Sequence, residues 1–165
     1  MIVFDSSTLI LLARIDMLET LVSNYHGAVL IPEKVKSEVC LKGREETPVV
    51  NKMIKDKKIR NIKLKNRKHI KKLSEDFNID AGEAEALLLA LQEGAGMIAT
   101  DDRNAIRACK ILKLDFVTAV AFLIRLFEKG LIERDDALLK LQKLQVIGRY
   151  SRAIIEDAAK QIQGG

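Results

Sequence analysis

Short apolar segments alternate along the chain with longer segments of helical spacing. The short segments, which predict strands, lie at Ile2–Phe4, Ala28–Ile31, Met97–Thr100 and Asp115–Val117, with a weaker alternating stretch at Ile59–Leu64. Helical patterns occupy 9–22, 32–40, 49–57, 67–77, 80–93 and 104–112, and three more follow at 119–129, 134–143 and 151–162. Strands separated by helices need crossover connections, which favour a parallel sheet with helices on both faces. We therefore predict an α/β fold, a three-layer α/β/α sandwich with a central parallel sheet, plus C-terminal helices.

The composition narrows the class of protein. A chain of 165 residues is the size of one domain. Its two cysteines lie inside helical patterns without CxxC spacing, so a zinc site is not expected. The amino terminus has no basic region and reaches an acid at position 5, which is unlike a signal peptide. Since no apolar run approaches the ~18 residues of a membrane span, we expect a cytoplasmic protein without membrane contact.

The net charge of +5 is unevenly distributed. The segment from Lys52 to Lys72 carries eleven lysines or arginines and one acid, a local balance of +10, so the remainder carries 5 − 10 = −5. Clustered basic side chains bind polyanions such as the nucleic-acid backbone. They are equally typical of a solvated surface, and charge alone does not separate these two interpretations.

Acidic residues follow the predicted strands at the points where a parallel sheet collects functional groups. Asp5 follows the first strand, Glu38 lies on the helix after the second, and Asp101 and Asp102 follow the fourth. Glu83 lies near the start of the strongest helix. Each acid alone has an ordinary explanation, as a helix cap, a capping box or an exposed helical residue. Together they form a set of hard oxygen ligands without histidine or cysteine, which suits Mg²⁺ or Mn²⁺.

Four segments of the sequence resemble motifs of the PIN domain family, and within it the toxin nucleases of toxin–antitoxin modules. They are Ile2–Ser7, Ile31–Val39, Gly82–Leu87 and Ile98–Arg103, each with one of the acids or acid pairs. Glu83 lies eighteen positions before Asp101, as the third and fourth acids usually do in the family. The family more often has aspartate at the third position. The resemblance covers about residues 1–130.

The resemblance implies a PIN-like nuclease domain at 1–130, with 131–165 as a C-terminal helical extension packed on the same domain. It implies Asp5, Glu38, Glu83 and Asp101 as catalytic metal ligands, with Asp102 as a further ligand. Ser6, Thr100 and Glu85 would orient these groups. Basic residues of the segment would bind nucleic acid, namely Lys57, Lys58, Arg60, Lys63, Lys65, Arg67 and Lys68.

The implied activity is Mg²⁺- or Mn²⁺-dependent hydrolysis of single-stranded RNA. The implied partners are RNA, a second copy of the chain in a homodimer and, in the toxin branch, a small antitoxin protein that covers the site. The alternative is a non-catalytic PIN-like module that binds RNA or protein. That alternative needs the basic segment but not the acids.

Overall fold

A computed structural model describes residues 1–164, which contain a five-stranded sheet. The strands are β1 (Ile2–Phe4), β2 (Val29–Pro32), β3 (Arg60–Ile62), β4 (Met97–Ala99) and β5 (Asp115–Val117). The helices are α1 (Ser6–Arg14), α2 (Leu18–Asn24), α3 (Glu33–Val39), α4 (Thr47–Lys55), α5 (Ile70–Phe77), α6 (Ala81–Glu93), α7 (Arg103–Leu112), α8 (Ala119–Glu128), α9 (Arg134–Ile147) and α10 (Arg152–Gly164).

All strand pairs are parallel, in the order β3-β2-β1-β4-β5. The chain moves outward from β1 through β2 to β3, then crosses back to β4 on the other side of β1. The direction of winding therefore reverses between β1 and β4. In open parallel sheets, binding sites form at the carboxyl ends of the strands at such a reversal.

Alternating side chains of the strands enter two separate cores. Ile2 and Phe4 of β1 belong to one core, together with buried residues of α1–α4 and α8–α10. Val3 of β1 belongs to the other core, with α5, α6 and α7. This alternation is the period-2 geometry of a strand, and burial on both faces explains why β1 is apolar throughout. The predicted three-layer α/β/α sandwich is confirmed.

Three local predictions differ from the structure. The helix predicted over 9–22 is two helices, because Asp16 between them has a left-handed backbone with φ of 57°. Pro32 was predicted to begin a helix, but it has extended backbone and ends β2 beside Ile62. Pro48 lies within the first turn of α4 rather than in a loop, since proline is tolerated where no intrahelical N–H bond is lost.

The C-terminal helices pack against the rest of the chain. Helices α9 and α10 contact α8 and each other. Their buried residues, which include Leu141, Leu144 and Ile155, belong to the same core as β1. A division at residue 130 stays a prediction. Within residues 1–164, no helix is long and apolar enough to cross a membrane.

Candidate active site

Asp5 lies at the centre of the carboxyl edge of the sheet and is 1% exposed. It caps α1, where Oδ1 accepts hydrogen bonds from the Thr8 backbone N at 3.3 Å and from Ser7 Oγ at 2.7 Å. The Thr100 hydroxyl donates to Oδ2. Burial raises the pKa of Asp5 to about 7 although these hydrogen bonds oppose the shift, and the negative charge of Asp101 adds to it.

Two hydroxyl groups connect Asp5 to the acids at the end of β4. Ser7 Oγ bonds to Asp5 and accepts the Asp101 backbone N–H at 3.0 Å. The Thr100 hydroxyl bonds to Asp5 and accepts the Asp102 backbone N–H at 3.2 Å. The ends of β1 and β4 are therefore joined through side chains that also orient the Asp5 carboxylate.

Both carboxylate oxygens of Asp101 accept hydrogen bonds from the protein. Its Oδ1 accepts from Thr8 Oγ1 at 2.5 Å and from the Ala119 backbone N at 3.1 Å. Its Oδ2 accepts from the Tyr150 hydroxyl. Burial raises the pKa of Asp101, and the bonds from Thr8 and Tyr150 oppose the shift. Asp101 thus joins α1, α8 and the segment between α9 and α10.

Glu83 and Asp102 are partly buried, and both take part in helix caps. Glu83 Oε2 accepts the Asp80 backbone N–H at 2.9 Å, and Asp80 accepts the Glu83 N–H, so the predicted capping box is present. Asp102 caps α7 through the Ala105 backbone N. Burial raises the pKa of Glu83 to about 8, opposed by its bond to Asp80 N–H and increased by the charges of Asp80, Asp102 and Asp5.

Glu38 of α3 points toward the start of α6. Ser6 Oγ donates to Glu38 Oε2 at 2.5 Å. A Cβ at position 82 would lie 3.0 Å from Glu38 Cδ, so glycine there leaves room for the carboxylate. Burial raises the pKa of Glu38, and the charges of Asp80 and Glu85 add to the shift.

Glu85 lies on another side of α6 and has a different set of partners. Its Oε1 forms an ion pair with Arg67 Nη1 at 2.5 Å. Its Oε2 accepts the Lys34 backbone N–H at 3.0 Å in the first turn of α3. Glu85 is 1% exposed and therefore connects α3, α6 and the basic segment, and it influences Glu38 through its charge.

The acids of the site have no ion-pair partner in the part of the chain that the structure describes, and Lys34 acts on Glu38 only through its charge. Within residues 1–164, no lysine, arginine or histidine forms an ion pair with Asp5, Glu38, Glu83 or Asp101. All four have raised pKa values. In the same residues, no group of three or more His, Cys, Asp or Glu side chains is arranged so that it could hold a metal ion. The donor chemistry suits a hard cation, while Glu83 and Asp101 are turned to protein partners.

The strand β3 divides the basic segment between two edges of the sheet. Lys57 and Lys58 precede β3 and lie at the amino edge, where Lys58 Nζ donates to Ser23 Oγ at 3.0 Å. Arg60 begins β3 and lines the same cleft as these two lysines. Of the exposed basic residues after β3, Lys63 follows the strand directly at its carboxyl end. The chain then runs back along α6, where the Lys65 backbone N donates to Gln92 Oε1 at 3.2 Å near the end of that helix. Arg67 reaches Glu85 nearer the start of α6, and Lys68 beside it is exposed.

Sequence reasoning missed several residues that shape the site. Ser7 and Thr8 directly follow Asp5, so their position beside it could have drawn attention to them. Tyr150 gave no such signal, because it follows α9 rather than a strand. Gly82 and Gly148 were also not singled out as positions that leave room for Glu38 and Tyr150.

A parallel sheet with a buried carboxylate after its central strand β1 and a partly buried one after the neighbouring β4 defines an α/β protein whose functional groups collect at one sheet edge. The DUF3368 family model, described as a PIN domain, matches residues 1–163, so the chain belongs to the PIN domain family. PIN domains are generally nucleases that bind nucleic acid and use divalent metal ions. No curated protein and no solved structure was found to match the chain.

Proposed function

We propose that this PIN domain is a metal-dependent endoribonuclease that hydrolyses phosphodiester bonds of single-stranded RNA. The observation that carries the proposal is the set of desolvated carboxylates at the carboxyl edge, all with raised pKa values and none in an ion pair within residues 1–164. Such a set lacks positive charge, and a divalent cation supplies it.

Asp5, Glu38, Glu83 and Asp101 are the proposed ligands, with Asp102 as a further one. The cation would be Mg²⁺ or Mn²⁺, which lowers the pKa of a bound water and stabilises negative charge on a phosphodiester. Asp5 is the best-fixed of these groups, because hydroxyls and a backbone N–H orient both its oxygens.

The protein groups have distinct parts in this proposal. Thr100 and Ser7 hold the Asp5 carboxylate in one orientation and favour its charged form. Ser6 does the same for Glu38. Glu83 would hold the cation in place of its bond to the Asp80 N–H, and its pKa of about 8 would make its ionisation depend on pH near neutrality.

The RNA strand is proposed to run along the carboxyl edge of the sheet. Lys63 follows β3 there and is exposed, and Lys65 and Lys68 come after it as further exposed charges that attract phosphates from beside α6. Arg67 keeps its ion pair with Glu85 and contributes charge rather than a free guanidinium. Lys57, Lys58 and Arg60 lie at the opposite edge, so we assign them to a more distant part of a bound strand.

The proposed cellular role and partners follow the toxin branch of the family. We propose that the protein acts in the cytoplasm as a homodimer and that a small antitoxin protein covers the acid edge. Co-expression with the product of a short neighbouring reading frame tests this. Relief of growth inhibition by that product would support a toxin role, and unrelieved growth inhibition would favour general RNA decay.

A second candidate is a non-catalytic module that binds RNA or protein. It is favoured by the hydrogen bonds that occupy Glu83 and both oxygens of Asp101 in this structure. Against it stands the number of unpaired carboxylates near the proposed phosphate path, since these repel a polyanion unless a cation is present.

The test is incubation of the full chain with a panel of single-stranded RNAs in Mg²⁺, Mn²⁺ or EDTA. Asp5→Asn and Glu83→Gln each remove one ionisable carboxyl group, and Asp115→Asn serves as a control because it lies exposed at the amino edge. We expect metal-dependent cleavage by the wild type and the control only. RNA binding without cleavage under any metal would favour the second candidate.

A further inference from the structure

The segment between α9 and α10 reaches the acid edge although it lies far from it in sequence. Tyr150 donates its hydroxyl hydrogen to Asp101 Oδ2, and the Val120 backbone N donates to the Tyr150 oxygen at 3.4 Å. Both bonds are to groups at the carboxyl ends of β4 and β5 or just after them. The linker of residues 148–151 is therefore attached to the site by a partly buried hydrogen bond.

Gly148 makes this attachment possible. A Cβ at position 148 would lie 2.9 Å from two ring atoms of Tyr150 and 2.8 Å from the Leu144 carbonyl oxygen. The backbone of Gly148 is extended, with φ of −93°, so the need for glycine is one of space rather than of backbone strain. The ring of Tyr150 packs where a side chain would otherwise stand, which fixes the direction of the linker.

Arg149 lies between these two fixed residues and borders the site. Two clefts meet at Asp101, one along α1 with Ser7 and Asp102, the other between α7 and α10 with Arg103. Arg149 lines both clefts. A ligand strand that ran from one cleft to the other would therefore pass beside Arg149.

The guanidinium of Arg149 has no partner within residues 1–164. It forms no ion pair or side-chain hydrogen bond there, although Asp101 and Asp102 line the same cleft. By contrast, Arg14 in that cleft is paired with Glu46 at 3.2 Å, and Arg152 three residues farther on is paired with Glu156 at 2.7 Å. The planar fork of an unpaired arginine matches the oxygens of a phosphate.

We propose that Arg149, fixed in place by Gly148 and Tyr150, binds a backbone phosphate of the RNA strand beside the acid cluster. The inference rests on the proposed function and deepens it, because it places a substrate-binding group in the C-terminal helical part. The acids attract the cation, and an arginine next to them binds the phosphate that they would otherwise repel.

The test measures binding of a short fluorescein-labelled single-stranded RNA of mixed sequence to the full chain in EDTA, by anisotropy at several salt concentrations. Arg149→Gln is compared with Arg152→Gln, a matched control on α10, and with Arg149→Lys, which retains the charge. Charge-assisted hydrogen bonds of this kind correspond to an affinity loss of about tenfold or more on removal.

We expect Arg149→Gln to weaken binding by about tenfold and to reduce the slope of log affinity against log salt by about 0.7. Arg149→Lys should keep the slope, and Arg152→Gln should behave as the wild type. Unchanged affinity and slope in Arg149→Gln, or an equal loss in Arg152→Gln, would overturn the inference.

Measurement without metal separates this inference from the proposed catalysis. Loss of binding in Arg149→Gln with no cleavage of any RNA supports the phosphate site and contradicts the nuclease. Metal-dependent cleavage with the same KM in Arg149→Gln and the wild type supports the nuclease and contradicts the phosphate site.

Discussion

Replacing Asp5 by asparagine is expected to stabilise the metal-free protein at alkaline pH. Burial raises the pKa of this carboxyl from 3.8 to about 7, so the fold favours its neutral form. Stability from this group is therefore complete below about pH 4 and is lost as the pH rises through about 7. Asparagine has no charge to bury and avoids that loss.

The size of the effect follows from the pKa difference. A shift from 3.8 to about 7 corresponds to about 4 kcal/mol at 1.36 kcal/mol for each pH unit. Asparagine retains one carbonyl oxygen for Ser7 and the Thr8 N–H, and its amide N–H can donate to Thr100, so most bonds at the site survive. We therefore expect a gain of about 2 to 4 kcal/mol, which raises Tm by roughly 10 °C in a chain of this size.

The assay is thermal unfolding followed by circular dichroism in EDTA, from about pH 4 to about pH 8.5. The difference between Asp5→Asn and the wild type should be near zero at the acidic end and reach its full size above about pH 7. Asp115→Asn, at an exposed position, should match the wild type throughout. A variant less stable than the wild type at pH 8.5, or a difference independent of pH, would refute the electrostatic reasoning.

Three other substitutions test separate contacts of the site. Thr100→Val removes a hydrogen bond that favours charged Asp5, so the pKa of Asp5 should rise further. The midpoint of the pH profile of the RNA-cleavage rate should then move to higher pH, and an unchanged midpoint would contradict this. Gly82→Ala should displace the Glu38 carboxylate, because the added Cβ takes up its space. Calorimetry should then show weaker metal binding with Tm almost unchanged, and a metal affinity equal to that of the wild type would argue against Glu38 as a ligand. Glu85→Gln should lower the free energy of unfolding in urea by about 1–3 kcal/mol, because the buried Glu85 loses the charge that accepts from the exposed Arg67 and from the Lys34 backbone N–H; no loss would show that these bonds are dispensable.

The sequence predicted the sheet and the place of the acids for a physical reason. Short apolar strands separated by helices leave few topologies, and in a parallel sheet all carboxyl ends meet at one edge. Asp5, Asp101 and Asp102 follow strands directly, so the strand pattern was enough to place them at that edge. Glu83 was placed from its position near the start of α6, where its capping-box role was also predicted.

The contacts that orient those acids could not be predicted in the same way. Tyr150 lies 49 residues from Asp101 and reaches it through the packing of three helices, which no local pattern encodes. Glu85 lies two residues after Glu83 on α6, which puts the two side chains on different sides of the helix, but nothing in the sequence indicated that Glu85 pairs with Arg67. The basic segment was treated as one surface, yet the predicted strand within it already implied that the residues just before and just after the strand lie at opposite edges.

The most direct test of the central claim is calorimetric titration of Mn²⁺ into the full chain at about pH 6.5 in buffers of different ionisation enthalpy. The claim is that the acids at the carboxyl edge bind a divalent cation. Because the pKa of Asp5 is about 7 and that of Glu83 about 8, both are largely protonated there, and binding should release protons. We predict a Mn²⁺ site with proton release that is lost in Asp5→Asn and retained in Asp115→Asn. Equal Mn²⁺ binding by Asp5→Asn, or none by the wild type, would contradict the account.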